Sequence, residues 1–110
     1  MLKTHWFGNF SNEDDVCSSF RIPPSTLDGC DILIAYYTYY DYSGSAYVLF
    51  RKGLKLYEVS GGHCSCYGLE GQWSPGEVTV AALRHFVDKG GYGNREYGHA
   101  LKEILNELES

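Results

Sequence analysis

The residues with the greatest chemical potential lie in one short segment, Gly61 to Trp73. Between its glycines this segment carries two thiols, an imidazole, a carboxylate, an amide and an indole, at His63, Cys64, Cys66, Glu70, Gln72 and Trp73. Ordinary folding does not require so many reactive groups in one glycine-punctuated stretch, whereas loops held by a scaffold often carry function. A functional site is therefore sought first in this segment.

Zinc binding is the first chemistry that this segment suggests. His63, Cys64 and Cys66 are all ligand types of a tetrahedral zinc. A fourth ligand would come from elsewhere in the chain, from Cys17, Cys30, His85 or His99. However, Cys-x-Cys is less typical of structural zinc than Cys-x-x-Cys, and the sequence has no second close pair. The pattern therefore favours two small thiols buried at the end of a strand, without a cofactor. A bound zinc is the alternative.

Nucleophilic catalysis by Cys64 or Cys66 is the second chemistry, and it requires a base that generates the thiolate. His63 is a poor base if the segment is extended, because adjacent side chains of a strand point to opposite faces. His85 or His99 would then have to approach through space. The sequence alone does not show such an approach.

Glu70, Gln72 and Trp73 also have a purely architectural interpretation. The first two would hydrogen-bond backbone amides of the loop, and the indole would anchor it in the core, because a glycine-rich loop needs such fastening. The sequence thus favours a protein that is not an enzyme. The alternative is a small cysteine-dependent enzyme or zinc-binding module that uses His63, Cys64, Cys66 and Glu70.

Three strands are predicted to position this segment. In residues 31–40 the alternate positions that would face each side of a strand are apolar, and branched and aromatic side chains are frequent. This pattern predicts a central strand. Residues 46–51 and 54–60 follow after short turns, so the three strands form an antiparallel meander. Alternation places Ala46, Val48 and Phe50 on one face, Leu54 and Leu56 together, and Tyr47, Tyr57 and Val59 on the opposite side.

Helices are predicted before and after the meander. Ser11 to Asp14 fits a capping box before a short helix over about 12–19, and the prolines at 23 and 24 favour an extended crossing afterwards. A helix containing Val80, Leu83 and Val87 follows, capped by Ser74 or Thr79, and a second amphipathic helix spans about 94–109. The predicted fold is a single α+β domain over 1–110, a three-stranded or slightly larger antiparallel meander with two C-terminal helices on one face.

Tyrosine is the most over-represented residue type, with ten copies in 110 residues. A cluster falls on the first two predicted strands and their turn, at Tyr36, Tyr37, Tyr39, Tyr40, Tyr42 and Tyr47. Rigid aromatic side chains are enriched at interface hot spots, so this cluster is a candidate protein-binding face. The alternative is a helix-covered face on which the hydroxyls merely reach the rim.

Charge and hydropathy limit the classes of partner. Fourteen acidic and nine basic side chains give a net charge of −5, which disfavours direct binding to the phosphates of nucleic acid. No apolar run approaches the roughly 20 residues of a membrane-spanning helix, and the N-terminus lacks the pattern of a signal peptide. We therefore expect a cytoplasmic protein without a membrane partner, in which the four cysteines are reduced.

The run from Asp31 to Val87 resembles small uncharacterised proteins encoded by bacteriophages and prophages. The likeness rests on Tyr42-x-Gly44-x-Ala46, on Leu56-Tyr-Glu-Val59, on His63-Cys-Ser-Cys-Tyr-Gly-Leu-Glu-Gly-Gln-Trp73 and on the helix after Glu77. It implies a protein of the bacterial host cytoplasm, made during infection or lysogeny. Small phage accessory proteins often bind and block a host component, including CRISPR effectors and other defence complexes, so a host protein is the expected partner. The resemblance supplies no catalytic residues.

Overall fold

A computed structural model describes residues 4–8, 10–37, 43–64, 68–88 and 95–109, and for residues 43, 63, 64, 95–97 and 109 it describes the backbone alone. The elements in chain order are β1 (His5–Gly8), α1 (Glu13–Phe20), a 3₁₀ helix (Pro24–Leu27), β2 (Cys30–Tyr37), β3 (Ser43–Lys52), β4 (Lys55–Cys64), β5 (Gly76–Val78), α2 (Val80–Asp88) and α3 (Arg95–Glu109). The strands form one sheet in the order β1-β2-β3-β4-β5. The α+β class is confirmed.

The sheet is larger than the predicted meander and is not purely antiparallel. The predicted strands form its centre as β2, β3 and β4, and a short strand is added at each edge. β1 pairs with β2 in parallel, which requires a long crossover, and the segment containing α1 supplies it. β5 pairs antiparallel with β4 over three residues. Both edge strands are too short to produce a clear alternation in the sequence.

The β3–β4 hairpin closes in a two-residue turn at Gly53 and Leu54. Lys52 pairs with Lys55, and Gly53 has a φ of +65°, which suits the first turn position of a type II′ hairpin. Leu54 lies at the tip and is 102% exposed, so the prediction that it shares a face with Leu56 is wrong.

Two further details of the predicted register differ from the sheet. Val48 pairs with Val59 and Phe50 pairs with Tyr57, and all four side chains pack on the first face. The prediction that Tyr57 and Val59 lie on the opposite side is therefore wrong. Between β2 and β3 the register shifts between Ile32 and Ile34, which is a β-bulge. The bulge places Leu33 and Ile34 in one core although they are neighbours in sequence.

Helix α1 begins at Glu13, one residue later than predicted. The N-cap is Asn12, whose Oδ1 accepts the Asp15 backbone N–H at 2.9 Å, while Asp15 Oδ2 accepts the Ser11 N–H at 2.8 Å. Arg21 ends the helix in the left-handed conformation, with a φ of 56°. The proline pair then opens a 3₁₀ helix rather than the predicted extended crossing, because proline is compatible with a first helical turn.

Two apolar cores lie on the two faces of the sheet. The first-face core contains α1 and the following turn, with Phe10, Val16, Cys17, Phe20, Leu27, Ile32, Ala35, Ala46, Val48, Phe50, Val59 and Leu69. The second-face core contains α2 and α3, with Leu33, Ile34, Tyr47, Leu49, Leu56, Leu83, Val87, Ala100, Leu101, Ile104 and Leu105. The two C-terminal helices thus share one face, as predicted, but α1 covers the other.

Candidate functional site

The glycine-rich segment begins inside β4, not after it. Gly61 pairs with Ala46 and Gly62 with Ser45, and the strand continues through His63 opposite Gly44. Ala46 lies in the first-face core, so alternation directs Gly61 to the first face and Gly62 to the second. The two adjacent glycines therefore face opposite sides of the sheet.

Gln72 fastens the returning chain to this strand by its side-chain amide. Its Oε1 accepts the Gly62 N–H at 2.9 Å, and its Nε2 donates to the Gly62 carbonyl at 2.7 Å and to the Gly68 carbonyl at 2.8 Å. The amide thus pairs with both backbone groups of one residue, as a neighbouring strand would. β5 pairs with β4 only from Leu56 to Glu58, so Gln72 satisfies the strand edge at a point beyond β5.

Two apolar side chains anchor the same segment in the first-face core. Leu69 is fully buried there, and Trp73 lies 5.1 Å from Phe20 in an edge-on arrangement and 5.9 Å from Phe50 in a stacked one, measured between ring centroids. Offset and edge-on aromatic pairs add stabilisation beyond the area they bury. Residues 68–73 are thus fixed by a polar contact at Gln72 and an apolar one at Trp73.

Of the other predicted residues of this segment, Glu70 is the one whose side chain the structure describes. Glu70 is exposed at the turn before Gln72. His63 and Cys64 lie opposite Gly44 and Ser43 in the backbone pairing of β4, and Cys66 lies outside the described residues. The cysteine-based enzyme and the zinc module that use this segment therefore stay predictions.

The remaining candidate ligands lie apart in the described parts of the chain. Cys17 and Cys30 pack on the first-face side, whereas His85 and His99 are exposed on α2 and α3, where His99 Nε2 lies 3.4 Å from a Glu103 oxygen. Within those parts, no group of three or more His, Cys, Asp or Glu side chains could hold a metal ion.

Burial raises the pKa of both described thiols above the ordinary 9.0. Nearby carboxylates, Asp14 above all, add to the effect at Cys17, while Lys52 opposes it at Cys30. A raised pKa disfavours the thiolate that nucleophilic chemistry requires, so neither thiol has the character of an activated nucleophile.

The predicted tyrosine face is divided between the two sides of the sheet. Tyr47 is 3% exposed in the second-face core, and Tyr36 is half-buried beside it, with ring centroids 5.5 Å apart. Tyr37 is half-buried on the first-face side, 5.3 Å from Phe10. Tyr39, Tyr40 and Tyr42 lie outside the described residues. Of the described tyrosines, Tyr36 is the one that borders an exposed part of the second face.

That exposed part forms a patch that sequence reasoning missed. Towards the Cys64 end of β4, the second face changes from apolar to small and polar, and we define the polar patch as Tyr36, Ser45, Glu58, Ser60 and Gly62. Ser45 and Ser60 are exposed, and an added Cβ on Gly62 would meet only the Gly44 carbonyl oxygen within 4 Å, at 3.9 Å. The signal was present in the alternation of Glu58, Ser60 and Gly62, on the side of β4 opposite Val59.

The side chain of Glu58 is held in place by a buried tyrosine. The Tyr47 hydroxyl donates to Glu58 Oε2 at 2.8 Å. A half-buried carboxylate that is fixed by one donor keeps further acceptor sites on its oxygens. The polar patch thus combines a fixed negative charge, an aromatic border at Tyr36 and a floor of small side chains.

No family model, curated protein or solved structure matches the chain. These comparisons therefore assign neither a family nor a function. Among the described helices, none is both long enough and apolar enough to cross a membrane.

Proposed function

We propose that this protein is a phage-type accessory protein that binds a bacterial host protein through the polar patch and blocks it by occlusion. The observation that carries the proposal is the exposed polar end of the second face, next to Tyr36 and beyond the apolar core that contains α2 and α3. The resemblance of Asp31 to Val87 to phage and prophage proteins supports a target in the host cytoplasm, with a defence complex as the specific expectation.

The composition of the polar patch suits contact with another protein. Small side chains at Ser45, Ser60 and Gly62 allow a partner backbone to approach the sheet closely, and tyrosine is a frequent hot-spot residue. A stable complex usually buries about 800 Å² on each partner, which is roughly an eighth of this protein's 6675 Å² surface. The polar patch would form the centre of such an interface.

The fastened glycine-rich segment supports the same proposal. Gln72 holds the backbone of Gly62, which is itself part of the polar patch. A binding surface that is rigid before association loses less conformational entropy on binding. The segment from Gly61 to Trp73 therefore serves as architecture that shapes the interface rather than as a reaction centre.

A matched pair of substitutions tests this function in a capture experiment. Ser60→Tyr places a bulky neutral side chain in the polar patch, and Ser18→Tyr makes the same change on the exposed side of α1. Both sites are exposed, so both variants should stay within about 0.5 kcal/mol of the wild-type stability. Tagged wild type and Ser18→Tyr should retain the same bacterial protein from lysate, and Ser60→Tyr should lose it.

A functional readout accompanies the capture. In cells that restrict an infecting phage, expression of wild type or Ser18→Tyr should raise the plating efficiency, and Ser60→Tyr should not. Equal capture and equal plating with all three proteins would show that the polar patch is not the binding surface.

A further inference from the structure

Within the described parts of the chain, the carboxylate of Glu58 in the polar patch has no cationic partner. The ion pairs of the described residues include those of Arg51 with Asp31, Lys55 with Glu77 and His99 with Glu103, and none of these involves Glu58. Glu58 is half-buried, and its contact is the hydrogen bond from the Tyr47 hydroxyl. A charge that is partly desolvated and already oriented gains more from an opposite charge than a free surface carboxylate does.

From this geometry we infer that the polar patch accepts an arginine side chain of its protein target, with Glu58 as the counter-ion. The inference rests on the proposed function and names the chemistry that the target must present. Arginine suits the site because its planar guanidinium can donate in parallel to both oxygens of a carboxylate. The excess of fourteen acidic over nine basic side chains also favours a basic partner surface.

The small floor of the patch provides the space that this contact needs. Ser60 lies two residues after Glu58 on the same face of β4, and Ser45 pairs with Gly62 beyond it. A guanidinium that approaches Glu58 there lies beside Tyr47, which pairs with Ser60, and meets serine hydroxyl groups and the open side of Gly62. Ser60 then contributes an additional acceptor for the remaining N–H groups of the guanidinium.

The test uses N-acetyl-arginine N-methylamide as the probe, followed by backbone amide NMR signals of the full chain. Millimolar probe should shift the signals of Glu58, Ser60 and Gly62 along a saturating curve, because a single such contact binds in that range. The matching citrulline compound has nearly the same shape without the charge and should leave these signals unchanged.

Two variants with the same change of charge locate the effect. Glu58→Gln keeps an oxygen that accepts the Tyr47 hydroxyl, so the fold is retained, and it should weaken probe binding roughly fivefold to tenfold because a charge-assisted hydrogen bond becomes neutral. Glu103→Gln, on the exposed side of α3, should bind the probe as wild type does.

Equal affinity of wild type and Glu58→Gln, or equal shifts with arginine and citrulline, would overturn the inference. Neither result would touch the proposed function, which is decided by capture with the Ser60→Tyr and Ser18→Tyr pair.

Discussion

The two faces of the sheet are formed by the same strands but differ in the kinds of side chain that they carry. On the first face, aromatic rings continue across the sheet from Phe20 through Trp73 to Phe50 and Tyr57, with centroid separations between 5.1 and 5.9 Å. On the second face, apolar packing under α2 and α3 gives way to the polar patch. The first face is thus a continuous aromatic core, whereas the second face has an exposed polar end, which is the part that the proposed function uses.

The largest expected effect comes from removing an aromatic ring of the first face. Phe20 is 1% exposed and forms a T-shaped pair with Trp73, so Phe20→Ala should lower the free energy of unfolding by about 3–5 kcal/mol. Urea unfolding followed by tryptophan fluorescence measures this loss. Phe20→Leu keeps most of the apolar volume and should cost less, about 1–2 kcal/mol, which provides a folded variant if the alanine protein does not fold.

The control for Phe20 lies on the second face. Ser60→Ala removes only a hydroxyl from an exposed site and should change stability by less than about 0.5 kcal/mol. A loss at Ser60 comparable with that of Phe20→Leu would contradict the division of roles between the faces.

Substitution of Gln72, whose side chain binds the backbone of Gly62 in β4, should have the next largest effect on stability. Gln72→Ala removes three hydrogen bonds and leaves the N–H and carbonyl of Gly62 without these partners, so we expect a loss of about 1–3 kcal/mol. Gln72→Glu should cost at least as much, because it replaces two donated hydrogen bonds by a carboxylate facing two carbonyl oxygens.

Hydrogen exchange shows whether the loss at Gln72 is local. The Gly62 amide should lose protection in Gln72→Ala, while amides in the centre of β2 keep theirs. Glu70→Ala, at an exposed neighbouring position, should change neither stability nor exchange. Unchanged protection at Gly62 in Gln72→Ala would show that the amide contact does not hold the segment.

The parts of the fold that were predicted correctly have strong local signals. β2, β3 and β4 were recognisable from branched and aromatic runs, and the α3 range differs from the prediction by one residue. The edge strands were missed because their existence depends on pairing with distant residues, not on their own three or four side chains. The bulge at Leu33 and the position of α1 on the opposite face are likewise consequences of tertiary packing.

For the candidate site, the residue types could be interpreted from the sequence, but the neighbours of each residue in the fold could not be predicted. The amide of Gln72 was predicted to bond to loop backbone, yet its specific partners, Gly62 and Gly68, depend on how β4 meets the returning chain. Tyr47 appeared to be a surface residue by type, whereas the packing of α2 and α3 buries it. The polar patch emerges only when three strands are aligned in register, because its residues come from β2, β3 and β4.

The adjacent glycines of β4 allow the same substitution, glycine to alanine, to be compared on the two faces of the sheet. A Cβ on Gly61 would lie 3.0 Å from both Gln72 Oε1 and Leu69 Cδ2, and both neighbours are held in place, so Gly61→Ala should destabilise the protein by about 1–2 kcal/mol. A Cβ on Gly62 would make only an ordinary contact with the Gly44 carbonyl oxygen at 3.9 Å, so Gly62→Ala should be neutral or stabilise by roughly 0.5 kcal/mol. Equal effects in urea unfolding would contradict the assignment of the two glycines to different faces.

The smallest expected effect concerns the buried thiol of the first face, and it appears only at high pH. Because burial raises the pKa of Cys17 above 9.0 in the folded state, folding disfavours the thiolate. The contribution of this thiol to stability is therefore fully present below pH 9.0 and is lost as the pH rises through the folded-state pKa.

Cys17→Ala separates this titration from those of tyrosine and lysine, which occur in the same pH range. Relative to wild type, the variant should show a smaller decline in the free energy of unfolding above pH 9.0, even though its stability at neutral pH is lower because a buried atom has been removed. Peptide mapping after alkylation near neutral pH should find Cys17 modified more slowly than the half-buried Cys30. Parallel pH profiles of the two proteins, together with rapid alkylation of Cys17, would mean that the first face opens to solvent. In that case it would not be the rigid support that the polar patch of the second face requires.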